Sequence, residues 1–140
     1  MKMLLAVDGS EYTRRMLEYI ATHKDLFDPS HEYTALTVVA PVPPRVTGFL
    51  DRHTLEVYYR EQAETILAPV RERAQQQGWK LNATHQVGPI AESITRAANE
   101  GGFDMLVMGS HGHAPMAQLM LGSVTSRVLA HCTKPVLIVR

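Results

Sequence analysis

Apolar residues in this chain fall in short unbroken runs separated by amphipathic stretches. Leu4-Leu5-Ala6-Val7, Met105-Leu106-Val107-Met108 and Val136-Leu137-Ile138-Val139 are continuous, as strands are when both faces of their sheet are covered. The pattern predicts strands near 2–7, 32–39, 80–87, 104–108 and 135–139. The first helix is expected after Ser10, a good N-cap residue, with Glu11 in its first turn and Met16, Leu17, Ile20 and Ala21 forming one stripe. A second, over roughly 52–77, carries Leu55, Tyr59, Ala63, Ile66, Leu67, Val70 and Ala74 at helical spacing and stops at Gly78. Pro69 lies inside it and should kink or split it. Pro89 suits the first turn of a third helix, whose Ile90, Ile94, Ala97 and Ala98 face the sheet until Gly101-Gly102 end it. A fourth helical pattern follows Gly122.

Strands alternating with helices from end to end predict an α/β fold, an open five-stranded parallel sheet with helices on both faces. The 140 residues make one domain of ordinary size, 1–140. The stretch from Ala40 to Gly48, with three prolines, is expected to lack regular structure. It leaves the C-terminal end of the second strand, where ligands of such sheets sit, and reads equally as a lid or a plain connector.

Charge narrows the choice of partners. Fourteen basic and fourteen acidic residues cancel, so no electrostatic footprint argues for nucleic acid or an anionic membrane surface. No apolar run approaches the roughly 20 residues of a membrane span. A single cysteine, Cys132, forms no intrachain disulfide and reads as a packing residue, and the short apolar run before Asp8 is unlike a signal peptide. A reducing cytoplasm is the expected location.

The chemistry concentrates after the fourth strand. Gly109, Gly112, Gly122 and Ser123 are spaced G-2x-G-9x-G-S, between an apolar run and a helical pattern. A strand, a glycine-rich loop and a helix start form a place where α/β proteins cradle phosphate. Glycine admits an anion close to the backbone, and the free N–H groups of the helix start favour negative charge. The spacing is neither the dinucleotide fingerprint nor the Walker A pattern, because no lysine follows Gly122.

The segment from Asp104 to Arg140, with Gly109-Ser110-His111-Gly112, Leu121-Gly122-Ser123-Val124-Thr125 and Lys134-Pro135-Val136-Leu137-Ile138-Val139, resembles the universal stress protein family in its ATP-binding branch. Leu4-Leu5-Ala6-Val7-Asp8-Gly9-Ser10 fits the first strand and loop of that family, so the resemblance spans the chain. It implies an adenine-nucleotide alpha-hydrolase-like sheet of order 3-2-1-4-5, with ATP in the crevice between strands 1 and 4. Asp8 would lie against the nucleoside, and Gly109 and Gly112 at the triphosphate turn. Gly122, Ser123, Val124 and Thr125 would form the helix-start anion site. Val38 or Val39 would offer backbone to the adenine edge. The resemblance also implies a homodimer through the strand Val136 to Val139 and a nucleotide-gated role in stress adaptation.

The residues themselves leave alternatives open. Asp8 is either a ligand group or a cap of the first helix, and both roles can coexist. Ser123 is either a phosphate donor or a simple N-cap, and at least one of Val38 and Val39 is a core residue. His111 and His113, two apart on the glycine loop, are too few for a protein-held metal, although His111 can line the phosphates. Mg²⁺ held by ATP oxygens and water suits the site better. Arg127 points toward the phosphates or toward solvent. No nucleophile with a general base is evident near the loop, so slow ATP hydrolysis is the most that is expected. An ATP-hydrolysing or adenylyl-transferring enzyme and a nucleotide-free dimeric scaffold are the competing readings.

Overall fold

The computed structural model describes residues 1–114 and 118–140. In chain order the elements are β1 (Lys2–Ala6), α1 (Glu11–Thr22), β2 (Glu32–Val39), α2 (Pro44–Thr47), α3 (Arg52–Gln77), β3 (Lys80–Val87), α4 (Ile90–Glu100), β4 (Met105–Gly109), α5 (Ser123–His131) and β5 (Val136–Val139). The five strands form one parallel sheet of order β3-β2-β1-β4-β5. This is the doubly wound arrangement the alternation predicts.

β1, at the centre, explains why its sequence is apolar throughout. Met3, Leu5 and Val7 pack into a core with Met16 and Ile20 of α1 and Leu67 and Val70 of α3. Leu4 and Ala6 point the other way, onto Ile94 and Ala98 of α4 and Val128 of α5. Two cores thus share one strand, and truncating a wholly buried residue such as Leu5 to Ala costs about 2–5 kcal/mol. β1 hands the chain to α1 on one face, whereas β4 hands it to α5 on the other. A crevice opens where they part.

Four local expectations change. Pro69 does not split α3, which runs unbroken from Arg52 to Gln77. The proline is exposed, so the Thr65 carbonyl it deprives of a partner faces water. Within the proline-rich stretch, Pro44–Thr47 form one helical turn, because Pro44 is first in the turn and its fixed φ is already helical. Pro89 is the N-cap of α4, one residue ahead of the first turn, and Ile90 is exposed instead of facing the sheet. Ser10 occupies the N-cap of α1, but its side chain makes no cap bond and its Oγ is enclosed without a partner. Asp8 instead braces the turn, accepting the Ser10 N–H and the Thr13 hydroxyl.

Candidate functional site

A cavity of about 410 Å³ lies at the C-terminal ends of β1, β2 and β4. All ten residues singled out in the sequence border it: Asp8, Val38, Val39, Gly109, His111, Gly112, Gly122, Ser123, Val124 and Thr125. The sheet topology brings them together from four separate stretches of chain.

Asp8 follows β1. Its Oδ1 accepts the Ser10 N–H at 2.9 Å and the Thr13 hydroxyl at 2.9 Å, while the Thr13 oxygen accepts the Asp8 N–H at 3.0 Å. One carboxylate oxygen therefore holds the turn into α1. The turn needs Gly9, whose φ of 75° is left-handed, and Ile66 packs against it. The other oxygen, Oδ2, lies under Gly112, where a Cβ would approach it to 2.7 Å. Capping and facing the cavity coexist in this one side chain.

The glycines of the motif serve a purpose that spacing does not reveal. Gly109, Gly112 and Gly122 all lack a positive φ. Each instead sits where protein touches protein. A Cβ on Gly109 would stand 2.7 Å from Tyr12 Cβ, and one on Gly122 would meet His111 Cα at 3.1 Å and the Ser110 carbonyl at 3.3 Å. The Gly122 N–H donates to that carbonyl at 2.7 Å, and the Ser110 N–H to the Val139 carbonyl at 2.8 Å. The loop is folded onto the start of α5.

Gly122 is the N-cap of α5, and its carbonyl accepts the Ser126 N–H at 3.0 Å. The N–H groups of Ser123, Val124 and Thr125 are the first-turn donors that a helix cannot satisfy itself. They border the cavity and give it a partly positive pole. The exposed Ser123 lies beside them. Thr125, which is buried, spends its hydroxyl hydrogen on the Gly109 carbonyl at 2.9 Å, fastening α5 to the end of β4.

Both loop histidines are engaged. The Nε2–H of His111 donates to the Leu119 carbonyl at 2.7 Å, leaving Nδ1 to accept the Ser110 hydroxyl at 2.9 Å. The Nε2–H of His113 donates to the Asp8 carbonyl at 2.6 Å. Among the described residues no three His, Cys, Asp or Glu side chains gather as a metal site. Arg127 turns to Glu92 of α4 at 3.3 Å, and Cys132 packs at the edge of the second core.

Val38 and Val39 end β2 on opposite sides, Val38 against the second core and Val39 against the first. The spacing of the glycines gave no hint of the wall beside them. Gln62 and Ile66 reach the cavity from α3, one turn apart, Ile90 and Ile94 from α4, and Thr37 from β2. A hydroxyl inside the apolar run Ala35-Leu36-Thr37-Val38-Val39 was the one legible mark. The result is a mainly apolar slot with a polar pole at the β4–α5 end.

The family model described as the universal stress protein family matches residues 1–140. Universal stress protein YxiE of Bacillus subtilis is 31% identical over 150 residues, covering 99% of this chain and 98% of its own length. Slr1230 of Synechocystis is 31% identical over 140 residues and 99% of this chain, which spans only 42% of that longer protein. MJ0577 of Methanocaldococcus jannaschii is 34% identical over 80 residues, covering 57% of this chain and 49% of its own length. The solved structure of MJ0577 superposes with a TM-score of 0.81 at 28% identity, covering 99% of this chain and 94% of that one. The same fold recurs in an Arabidopsis thaliana family member solved with AMP bound (TM-score 0.71, 15% identity, 99% and 90% covered). It recurs also in a universal stress protein in complex with cAMP (TM-score 0.67, 22% identity, 100% and 96% covered).

Proposed function

This chain belongs to the universal stress protein family, and from that premise we propose that its crevice binds an adenine nucleotide, ATP with Mg²⁺ being the physiological form. One observation carries the reading. A single cavity joins three first-turn N–H groups of α5, unpaired among the described residues, to the Asp8 carboxylate and to an apolar slot. A nucleotide has the matching parts: an anionic end, a hydroxyl-bearing sugar and a flat base. Among the described residues that line the cavity there is no Lys or Arg. Neutral donors alone leave most of a triphosphate's charge uncompensated. A Mg²⁺ carried on phosphate oxygens and water would compensate it without protein ligands.

The protein is a binding module more than a catalyst. His111 and His113 are committed to hydrogen bonds, so the loop offers no free base aligned with a phosphate and hydrolysis would be slow. Nucleotide occupancy would then serve as a signal in stress adaptation, in the cytoplasm. β5 is the sheet edge next to β4, and two copies would pair through Val136 to Val139. The carbonyls of Pro135 and Val139 are taken by β4, so alternation turns the N–H groups of Val136 and Ile138 outward. Ile138→Pro should yield monomers while Leu137→Pro disrupts the sheet. A monomer mass for the parent by light scattering at micromolar concentration would sink the dimer.

The nucleotide reading is tested by releasing bound small molecules from purified protein with acid and identifying them by mass spectrometry. An adenine nucleotide at near-equal molar ratio is expected. Protein that carries none and takes up none from a millimolar mixture would overturn it.

A further inference from the structure

Thr37 carries a hydroxyl that the fold does not use. The residue sits on β2 with only 1% of its surface exposed, it borders the cavity, and among the described residues its oxygen has no hydrogen-bond partner. It is also not sealed: among the described residues the only fully enclosed unpaired side-chain oxygen is Ser10 Oγ. What Thr37 exposes, it exposes to the crevice. A buried hydroxyl without a partner is costly, and an apolar group of the same shape would serve the core as well or better.

Its place in the sheet indicates what it faces. Across the mouth of the crevice the strands run β4, β1, β2, about 4.8 Å apart, which sets Thr37 about 10 Å from the glycine turn. If phosphate occupies the start of α5 and sugar the Asp8 position, the third position is that of the base. There Val39 and Ile66 supply apolar surface, while the Gln62 amide stands at an exposed rim. We propose that Thr37 is a specificity residue whose hydroxyl bonds the polar edge of the bound nucleobase. This rests on the nucleotide reading above. A hydroxyl both donates and accepts, so it can meet a ring nitrogen or an exocyclic amino group.

The test compares the parent with Thr37→Val, which keeps the shape, and Thr37→Ser, which keeps the hydroxyl. AMP, ATP and adenosine are titrated calorimetrically, and melting is recorded without ligand. Thr37→Val should melt at or above the parent temperature and bind all three ligands about fivefold to tenfold more weakly, while Thr37→Ser binds as the parent does. Unchanged affinity in Thr37→Val would overturn the assignment, as would a lowered ligand-free melting temperature, which would make the hydroxyl structural. If the parent itself binds none of the three, the nucleotide reading fails, and this inference with it.

Discussion

The two walls of the crevice are built on opposite principles. At the β4–α5 corner, backbone lies on backbone: Gly109 against Tyr12, Gly122 against His111, with Thr125 and Ser110 tying loop to strand. Facing it, the β2–α3 side lines the cavity with the side chains of Thr37, Val38, Val39, Gln62 and Ile66, and the connection between β2 and α3 leaves large apolar groups in solvent. Val46, Phe49, Leu50 and Tyr58 stand exposed, Phe49 by 91%, and Val42 is held by one hydrogen bond, its N–H donating to the Tyr59 hydroxyl at 2.8 Å. The described part of the first corner is closely packed, and on the proposed nucleotide reading that packing would fix the N–H directions an anion requires. The second offers side-chain surface, which on the same reading is what a flat base would need. Substitutions at the first should therefore damage fold and binding together, and those at the second should separate the two.

The largest effect is expected at Gly109. With Tyr12 Cβ 2.7 Å from where a new Cβ would lie, Gly109→Val should cost about 1–3 kcal/mol through overpacking and lower the melting temperature by several degrees. Retained stability in a thermal melt would show that the packing around Gly109 gives way. Asp8→Ala comes next, since Asp8 joins the turn before α1 to the cavity. It should weaken ATP and adenosine alike, by about tenfold, and also lower the melting temperature, because Ser10 N–H and Thr13 lose their acceptor. Ser123→Ala should weaken ATP a few-fold and leave adenosine unaffected. Equal losses for both ligands in both variants would erase the division between a phosphate pole and a nucleoside pole. Phe49→Ala should be nearly silent in stability, within about 0.5 kcal/mol, and a large drop in melting temperature would mean that the connection between β2 and α3 is packed after all.

A smaller effect concerns pH at the start of α3. The Thr54 N–H bonded to Asp51 holds that carboxyl below the usual range. A depressed carboxylate contributes stability above its unfolded pKa and loses it as pH falls through the folded value. Protection of the Thr54 amide, the slowing of its exchange relative to the intrinsic rate at each pH, should therefore fall below about pH 4, and Asp51→Asn should remove that acid step. A protection factor that stays the same between pH 6 and pH 3 would count against the cap.

The sequence made the fold legible because period and composition agreed. Continuous runs marked strands covered on both faces, and Gly78, with φ of 72°, stopped α3 where expected. The β4–α5 corner was legible as glycine spacing, although the reason for the glycines was not: contact with Tyr12 and His111 links residues about a hundred positions apart, or across a loop, and no local pattern records it. Ser10 makes no side-chain cap; the turn is held instead by Asp8, two residues earlier, which accepts the Ser10 N–H and the Thr13 hydroxyl. The open corner was hardest to read. Gln62 and Ile66 belong to a long helix whose register over the cavity is set by packing further along, at Leu67 and Val70, and periodicity alone does not say which turn overhangs a ligand.

The central claim, an adenine nucleotide held between these two walls, is tested most directly by melting the purified, nucleotide-stripped protein against increasing ATP with Mg²⁺ and against AMP. Binding to the folded state alone predicts stabilisation that grows with the logarithm of ligand concentration, reaching about 2.7 kcal/mol at a hundredfold excess over the dissociation constant. A melting temperature that stays fixed up to millimolar nucleotide, with and without Mg²⁺, would contradict it.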